Sequence, residues 1–236
     1  MKPNREVGRI LAMEIKPPTD PRNTPRNHTP NNFAPHPYSA PQAAPILPRA
    51  LLLDMDETLT ISMLDYPAIR AEIGCEGPIL EALALMDDAR QTAAWEILHR
   101  HELAAAHAST LSPGSLDLLD WLATHRIPTA LVTRNTRNSV DIVLKRLPLN
   151  LDVIITRDDA PHKPDPRPLL LACEKLNVDP QHVWMVGDGS YDIEAGSAAG
   201  IRTVWLTLGR QRHFTTQPWK SVRDLIELKE MLERCV

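Results

Sequence analysis

The sequence predicts an α/β fold: a doubly wound parallel sheet with a small all-helical segment inserted after the first strand. Two observations support this prediction. Short apolar runs typical of buried strands alternate with helical patterns, the order expected of a parallel sheet covered by helices on both faces. The stretch 65–112 interrupts this alternation, because its helical patterns follow one another without a strand between them.

Five strands are predicted from apolar runs bounded by polar residues. They span residues 50–53, 129–133, 152–156, 182–187 and 202–206. Helices are predicted between and after these strands, each with a plausible stop signal. They span residues 115–125, 138–147, 167–176, 192–199 and 221–235, the last with Ser221 as its N-cap. In sheets of this kind, ligands bind beyond the carboxyl ends of the strands.

We expect three regions along the chain. Residues 1–48 form a tail that contains 11 of the 22 prolines and one glycine, a composition too poor in apolar clusters to build a core, so disorder is predicted there. Residues 49–64 and 113–236 form the α/β core. Residues 65–112 form a helical cap, with helical patterns over 79–86 and 87–107 that follow a turn at 74–78.

The charge distribution argues against a nucleic-acid partner. The whole chain carries −4, and the tail carries +3, which leaves −7 on residues 49–236. No apolar run is long enough to span a bilayer and no signal-peptide pattern is present, so a cytoplasmic protein without a membrane partner is expected. A mitochondrial location stays an alternative because the tail is weakly basic. The sequence does not reveal the oligomeric state.

Polar side chains suited to chemistry follow the predicted strands, with Lys163 in the loop after the third strand. In chain order they are Asp54, Asp56, Thr133, Lys163, Asp188 and Asp192. Two carboxylates at the exit of one buried strand are costly to place together, so we expect a metal ion, a phosphate chemistry or both to compensate. An aspartate can act as a nucleophile toward phosphorus while a neighbouring acid transfers protons.

As a set, these motifs resemble those of the haloacid dehalogenase-like hydrolases, chiefly the phosphatases of that superfamily. The resemblance covers residues 49 to about 210 and includes LLLDMDETLT, ALVTRN, HKPDP and MVGDGSYDIEAGSAAG in the family's order. It implies a Rossmann-like core and an Mg²⁺-dependent phosphatase. By family analogy, the substrate is a small phosphorylated metabolite, either phosphoglycolate-like or a sugar phosphate, hydrolysed through an aspartyl-phosphate intermediate.

The resemblance also implies catalytic and phosphate-binding roles. Asp54 matches the nucleophile, and Asp56 matches the acid/base that protonates the leaving alcohol and then activates water. Thr133 matches the hydroxyl that holds the phosphate. Lys163 matches the lysine that neutralises the nucleophile and the transferring phosphoryl group. Arg134 is either a further phosphate contact or a surface arginine.

The metal ligands implied by the resemblance are Asp54, Asp188 and the backbone carbonyl of Asp56, with Asp192 supporting the site. Elementary coordination chemistry agrees with this set. Mg²⁺ prefers oxygen ligands and keeps several waters, so a few carboxylates and a phosphate oxygen suffice.

Several positions and functions stay open. Family motifs usually have Gly where this chain has Glu57, which we expect to be solvated rather than catalytic. Arg70, Arg90 and Arg100 could each meet a second anionic group of a substrate, although helix-surface charge is the commoner role. A sugar phosphomutase shares every core residue with a phosphatase. A non-catalytic adaptor that acts through the Pro-rich tail is the alternative from another class.

Overall fold

The computed structural model describes residues 47–236, so the predicted disorder of the tail falls almost entirely outside the described residues. The strands are β1 (Ala50–Leu53), β2 (Thr60–Ile61), β3 (Thr110–Leu111), β4 (Thr129–Val132), β5 (Val153–Ile155), β6 (Val183–Gly187), β7 (Arg202–Leu206) and β8 (Lys220–Val222). The α-helices are α1 (Tyr66–Ile73), α2 (Ile79–Ala84), α3 (Asp88–Ala108), α4 (Ser115–Thr124), α5 (Arg137–Arg146), α6 (Arg167–Leu176), α7 (Ser190–Ala198) and α8 (Leu225–Glu233).

Six strands form one parallel sheet in the order β5-β4-β1-β6-β7-β8. Strand β1 lies in the interior of the sheet, with Leu52 paired to Ala130 of β4 and to Met185 of β6. All four of its residues are buried. A strand covered on both faces needs an uninterrupted apolar run, which explains the sequence ALLL.

The two faces of the sheet bury separate apolar clusters. Leu51 and Leu53 belong to the cluster that contains buried residues of α4, α5 and α8. Ala50 and Leu52 belong to the other cluster, which contains residues of α6 and α7. Because side chains alternate along a strand, this division places helices on both faces. The predicted doubly wound parallel sheet is therefore confirmed.

The carboxyl-terminal end of the chain corrects one prediction. Ser221 does not cap a helix, because it lies in β8, which pairs with β7 at the edge of the sheet. Helix α8 begins later, and the Asp224 side chain caps it by accepting hydrogen bonds from the backbone N–H groups of Ile226 and Glu227. Val222, which the predicted helix 221–235 included, is instead a buried residue of β8.

Residues 65–112, which we call the helical insertion, contain α1, α2 and α3. Ile69, Leu83 and Leu98 are among the buried residues of an apolar cluster within the insertion. The insertion is not helical throughout, because β3 lies near its end and pairs antiparallel with β2. These two strands bring the entry and the exit of the insertion side by side. Its role as a cap stays a prediction.

Within residues 47–236, we find no helix long and apolar enough to cross a membrane.

Candidate active site

The parallel sheet brings the predicted site residues to one edge. Asp54 directly follows β1, Thr133 follows β4, and Asp188 follows β6. Because these strands are adjacent and parallel, their carboxyl ends lie together. Lys163 reaches the same place from the loop after β5, and Asp192 does so from the first turn of α7.

Lys163 is the centre of the site. Its ammonium group donates hydrogen bonds to Asp54 Oδ1 at 2.8 Å and to Asp192 Oδ1 at 2.6 Å. The side chain is only 1% exposed. Burial alone would lower the pKa of this lysine, but the charges of Asp192 and Asp54 raise it above its usual value. Lys163 is therefore a fixed cation, held against the predicted nucleophile.

Asp192 is held by the backbone as well as by Lys163. Its Oδ2 accepts a hydrogen bond from the backbone N–H of Gly189 at 3.1 Å. The carboxylate also lies against Gly187, where a Cβ atom would come within 2.2 Å of Asp192 Cγ. A side chain at position 187 would displace Asp192, so this glycine is needed for the close approach.

Three carboxylates meet at this edge of the sheet. Asp54, Asp188 and Asp192 each place one oxygen so that the three atoms lie within 4.8 Å of one another. Burial raises the pKa of Asp54 to about 8, with Lys163 opposing and Asp192 and Asp56 adding to the increase. Burial and the charge of Asp192 also raise the pKa of Asp188. A divalent cation would relieve this repulsion, and hard carboxylate oxygens are suitable ligands for it.

Asp56 is positioned by a residue that sequence analysis missed. The side-chain amide of Asn135 donates a hydrogen bond to Asp56 Oδ2 at 2.7 Å. The backbone N–H of Asn135 also donates to Thr133 Oγ1 at 3.2 Å. Burial raises the pKa of Asp56, while the hydrogen bonds from Asn135 and Ser62 oppose this increase. The only sequence signal for Asn135 was its position two residues after Thr133, and that position suggested a turn rather than a contact with Asp56.

Asp188 has a cationic neighbour from the loop after β7. Its Oδ2 accepts a hydrogen bond from Arg210 at 2.9 Å, and its backbone carbonyl accepts one from the indole of Trp205 at 3.0 Å. Neither partner carries a motif that would have identified it from the sequence. Together they hold Asp188 at the edge of the acidic cluster.

Arg134 contacts the helical insertion. Its guanidinium group donates to both carboxylate oxygens of Glu81 at 2.9 and 3.0 Å, and to the backbone carbonyl of Lys163 at 3.0 Å. The same group stacks over the ring of Tyr191 at 3.8 Å from its centroid. Both terminal nitrogens of Arg134 are thus occupied by protein groups, and phosphate contact by this residue stays a prediction.

A second arginine also links the core to the insertion. Arg157, after β5, forms a two-pronged ion pair with Glu102 of α3, including a hydrogen bond of 2.9 Å from Nη2 to Oε2. Both side chains are buried. Arg157 also lies over the ring of Trp95, 5.1 Å from its centroid. The spacing of 55 residues between the two partners hid this pair from sequence analysis.

All the predicted site residues face one cavity of about 770 Å³ between the sheet edge and the insertion. Tyr66 and Arg70 of α1 also line this cavity. Loss of water, followed by the charges of Asp56 and Asp54, raises the pKa of the Tyr66 hydroxyl. Tyr66 therefore lies within electrostatic range of Asp56 and Asp54.

Glu57 differs from the expectation of a simply solvated side chain. It lines the cavity, and its Oε1 accepts a hydrogen bond from the backbone N–H of Ser62 at 3.0 Å. Its backbone has φ of +56°, in the left-handed region that favours glycine. The loop therefore keeps a glycine-like conformation with a charged residue, and the side chain helps to fix the segment that leads into the insertion.

The fold, together with a buried lysine bonded to two carboxylates and a third carboxylate beside them, is that of an α/β enzyme of the haloacid dehalogenase type. Comparison with known proteins identifies the family of the chain. The family model described as haloacid dehalogenase-like hydrolase matches residues 78–206. The chain belongs to this family, and the predicted resemblance is confirmed.

Individual relatives agree with this assignment. The chain is 32% identical to an uncharacterized hydrolase of Saccharomyces cerevisiae over 78% of its own length and 91% of the relative. It is 30% identical to phosphoglycolate phosphatase 1 of Pseudomonas aeruginosa, over 69% of its own length and 71% of that protein. Among solved structures, a hydrolase from Pseudomonas syringae superposes with a TM-score of 0.68 at 22% identity, covering 78% of this chain and 98% of the other.

Proposed function

We propose that this protein is a divalent-cation-dependent phosphatase that hydrolyses a small phosphorylated metabolite through phospho-Asp54. The single observation that carries the proposal is the contact of Lys163 with Asp54 and Asp192 beside Asp188. Phosphoryl transfer requires mainly positioning and neutralisation of negative charge, and this group of residues supplies both. The similarity to phosphoglycolate phosphatase 1 of Pseudomonas aeruginosa supports the same class of reaction.

In the first step, a carboxylate oxygen of Asp54 attacks the phosphorus atom of the ester. The bond between phosphorus and the ester oxygen breaks, and the leaving alcohol takes a proton from Asp56. Lys163 already donates to Oδ1 of Asp54 and neutralises part of the charge at the reacting centre. The hydrogen bond from Asn135 orients the Asp56 carboxyl group.

In the second step, a water molecule attacks the phosphorus atom of phospho-Asp54. Its proton passes to Asp56, which the first step left ionised, and the bond between phosphorus and the Asp54 oxygen breaks. Inorganic phosphate leaves, and both acids return to their starting states. Thr133, at the end of β4, is proposed to hold the phosphate during both steps.

Asp54 and Asp188, with the backbone carbonyl of Asp56, are proposed to hold Mg²⁺, which would neutralise charge on the phosphate oxygens. Asp192 is proposed to act through Lys163, because the lysine and the Gly189 N–H occupy its carboxylate oxygens. The cavity volume suits a metabolite rather than a polymer. The cytoplasmic location stays a prediction from the sequence.

The proposal is tested by measuring phosphate release for the wild type, Asp54→Asn and Asp120→Asn, with Mg²⁺ or with a chelator. Asp54→Asn is expected to lower kcat at least about 10³-fold, because a carboxamide is a poor nucleophile. Asp120 is exposed on α4 and serves as the matched control, with activity unchanged. Retained turnover in Asp54→Asn would refute covalent catalysis at this position. Transfer of the phosphate to a second sugar without its release would instead indicate a mutase.

A further inference from the structure

Arg70 occupies a distinctive place in the helical insertion. Helix α1 is anchored by Ile69 and Ile73, which are buried in the cluster of the insertion. Tyr66 and Arg70 are four residues apart, so they lie one turn from each other on one side of the helix. Both line the cavity that contains Asp54. Arg70 therefore extends the cavity wall one turn beyond the tyrosine that lies near the acids.

Charge pairing distinguishes Arg70 from four of the five other cations of this cavity. The cationic lining residues are Arg70, Arg134, Arg157, Lys163, Arg210 and Arg212. Four of them form ion pairs with carboxylates, in the contacts described above. Arg212 is exposed and acts electrostatically on Asp188. Among residues 47–236, no side chain forms a hydrogen bond or an ion pair with the guanidinium group of Arg70.

The other two arginines that the sequence left open are already engaged. Arg90 donates to the backbone carbonyl of Gly74 at 2.8 Å. Arg100 forms an ion pair with Glu72 on the surface of the insertion. Neither of these arginines is among the residues that line the cavity. Arg70 is half-buried, and a partly desolvated guanidinium group without a counter-charge is unfavourable until an anion reaches it.

We propose that Arg70 is a specificity-determining residue that binds a second anionic group of the substrate. The substrate class is then a small phosphate monoester that also carries a carboxylate or a second phosphate. A guanidinium group can donate two parallel hydrogen bonds to either anion, so both belong to one ligand chemistry. This inference rests on the proposed phosphatase function, because it assigns the reacting phosphate to the edge of the sheet.

The kinetic test compares the wild type, Arg70→Ala, Arg70→Lys and Arg100→Ala. Each is assayed with phosphoglycolate, fructose 1,6-bisphosphate, glycerol phosphate and p-nitrophenyl phosphate, so that a carboxylate, a second phosphate and no second anion are compared. Arg70→Ala is expected to lose about 10- to 100-fold in kcat/KM on the preferred substrate with two anionic groups, mainly through KM. Turnover of the two esters without a second anion is expected to change less than about twofold.

Arg70→Lys keeps the charge but not the two-pronged geometry, and a partial recovery is expected. Arg100→Ala removes an arginine of the same insertion outside the cavity, and its selectivity should match that of the wild type. An equal loss on all four esters in Arg70→Ala would overturn the proposal, because it would indicate a structural role. A wild type that shows no preference for a second anion would overturn it as well.

A binding experiment separates this inference from the proposed function. Asp54→Asn, alone and combined with Arg70→Ala, is titrated calorimetrically with phosphoglycolate, fructose 1,6-bisphosphate and glycerol phosphate. Tighter binding of one ligand with two anions, lost at least about tenfold with Arg70→Ala, supports the inference even if the wild type hydrolyses none of the esters. That combination would refute only the phosphatase function. Equal binding in the two proteins would refute the role of Arg70.

Discussion

The sheet and the boundary between the core and the helical insertion are stabilised by different interactions. In the sheet, β1 buries four consecutive apolar residues between two helical layers. At the cavity, the boundary is bridged by two arginine–glutamate pairs, Arg134–Glu81 and Arg157–Glu102. Apolar burial favours one permanent arrangement, whereas charged groups regain hydration when they separate. From this difference we expect a rigid core and a boundary that opens for substrate, and the variants below test this expectation.

The largest expected effect lies in the core. Leu52→Ala removes a side chain that is fully buried in the centre of the sheet, and it should lower the free energy of unfolding by about 2–5 kcal/mol. Chemical denaturation monitored by circular dichroism measures this change. Leu85→Ala is the control, because Leu85 is 89% exposed and its loss should cost less than about 0.5 kcal/mol. Equal costs for the two variants would contradict the assigned core.

A smaller effect, seen in function more than in stability, is expected at the boundary. Glu102→Gln removes the charge that pairs with Arg157 and should raise KM about tenfold, because an opened insertion closes less readily over the substrate. Its unfolding free energy should fall by less than that of Leu52→Ala, since Arg157 can regain water in the open form. Steady-state kinetics and denaturation, run on the same preparations, measure both quantities.

Two further variants test whether the rise in KM depends on the burial and the position of the glutamate. Glu81 is 39% exposed, so Glu81→Gln should raise KM less than Glu102→Gln does. Glu72→Gln is the control, because it disturbs an exposed ion pair with Arg100 within the insertion and should leave KM unchanged. If Glu102→Gln proved as destabilising as Leu52→Ala, with KM unaltered, the boundary would be a continuation of the core.

A third expected effect is a pH dependence of stability that originates at Asp54. Its pKa rises from 3.8 to about 8 on folding. Between these values, the folded protein retains a proton that the unfolded chain has released, so stability should fall as the pH rises through this interval. Thermal unfolding of the chelator-treated protein between pH 5 and about 9 measures the slope. Asp54→Asn cannot ionise and should reduce this slope; an unchanged slope would assign it to other groups.

Added Mg²⁺ sharpens the same comparison. The proposed ligands bind a cation in their ionised form, so Mg²⁺ should raise the melting temperature more at the upper end of this pH range than at the lower. Leu52→Ala removes no charged or cation-binding group and should retain the full response to Mg²⁺. A response that does not depend on pH would contradict cation binding at these carboxylates.

Local patterns were sufficient to predict much of the fold. The apolar runs at 50–53 and 202–206 coincide with β1 and β7, and the pattern at 167–176 coincides with α6. Ser221 was misassigned because a three-residue edge strand and a helix follow each other too closely for periodicity to separate them. The short ladder of β2 and β3 escaped prediction, since two residues are too few to show an alternating pattern.

Local sequence patterns were also insufficient for the contacts of the site, which join residues far apart in the chain. Asp54 and Asp188 could be proposed because each lies in a motif directly after a strand, and Lys163 because it lies in a motif of the loop that follows another strand. The residues that orient the site aspartates could not be predicted. Asn135 is 79 positions from its partner Asp56, and Arg210 is 22 positions from its partner Asp188. Such contacts depend on the register of strands and on loop paths. Neither leaves a local signal in the sequence.

The paired strands β2 and β3 have a consequence for how this protein could be altered. Thr60 lies opposite Leu111, and Ile61 lies opposite Thr110, so the chain leaves the core and returns to it at neighbouring points. The pairing fixes where the insertion begins and ends, independently of the number of residues between the two strands. A different set of helices could be inserted between these two strands. The residues at the edge of the sheet would stay in place, while the groups that contact the substrate would change.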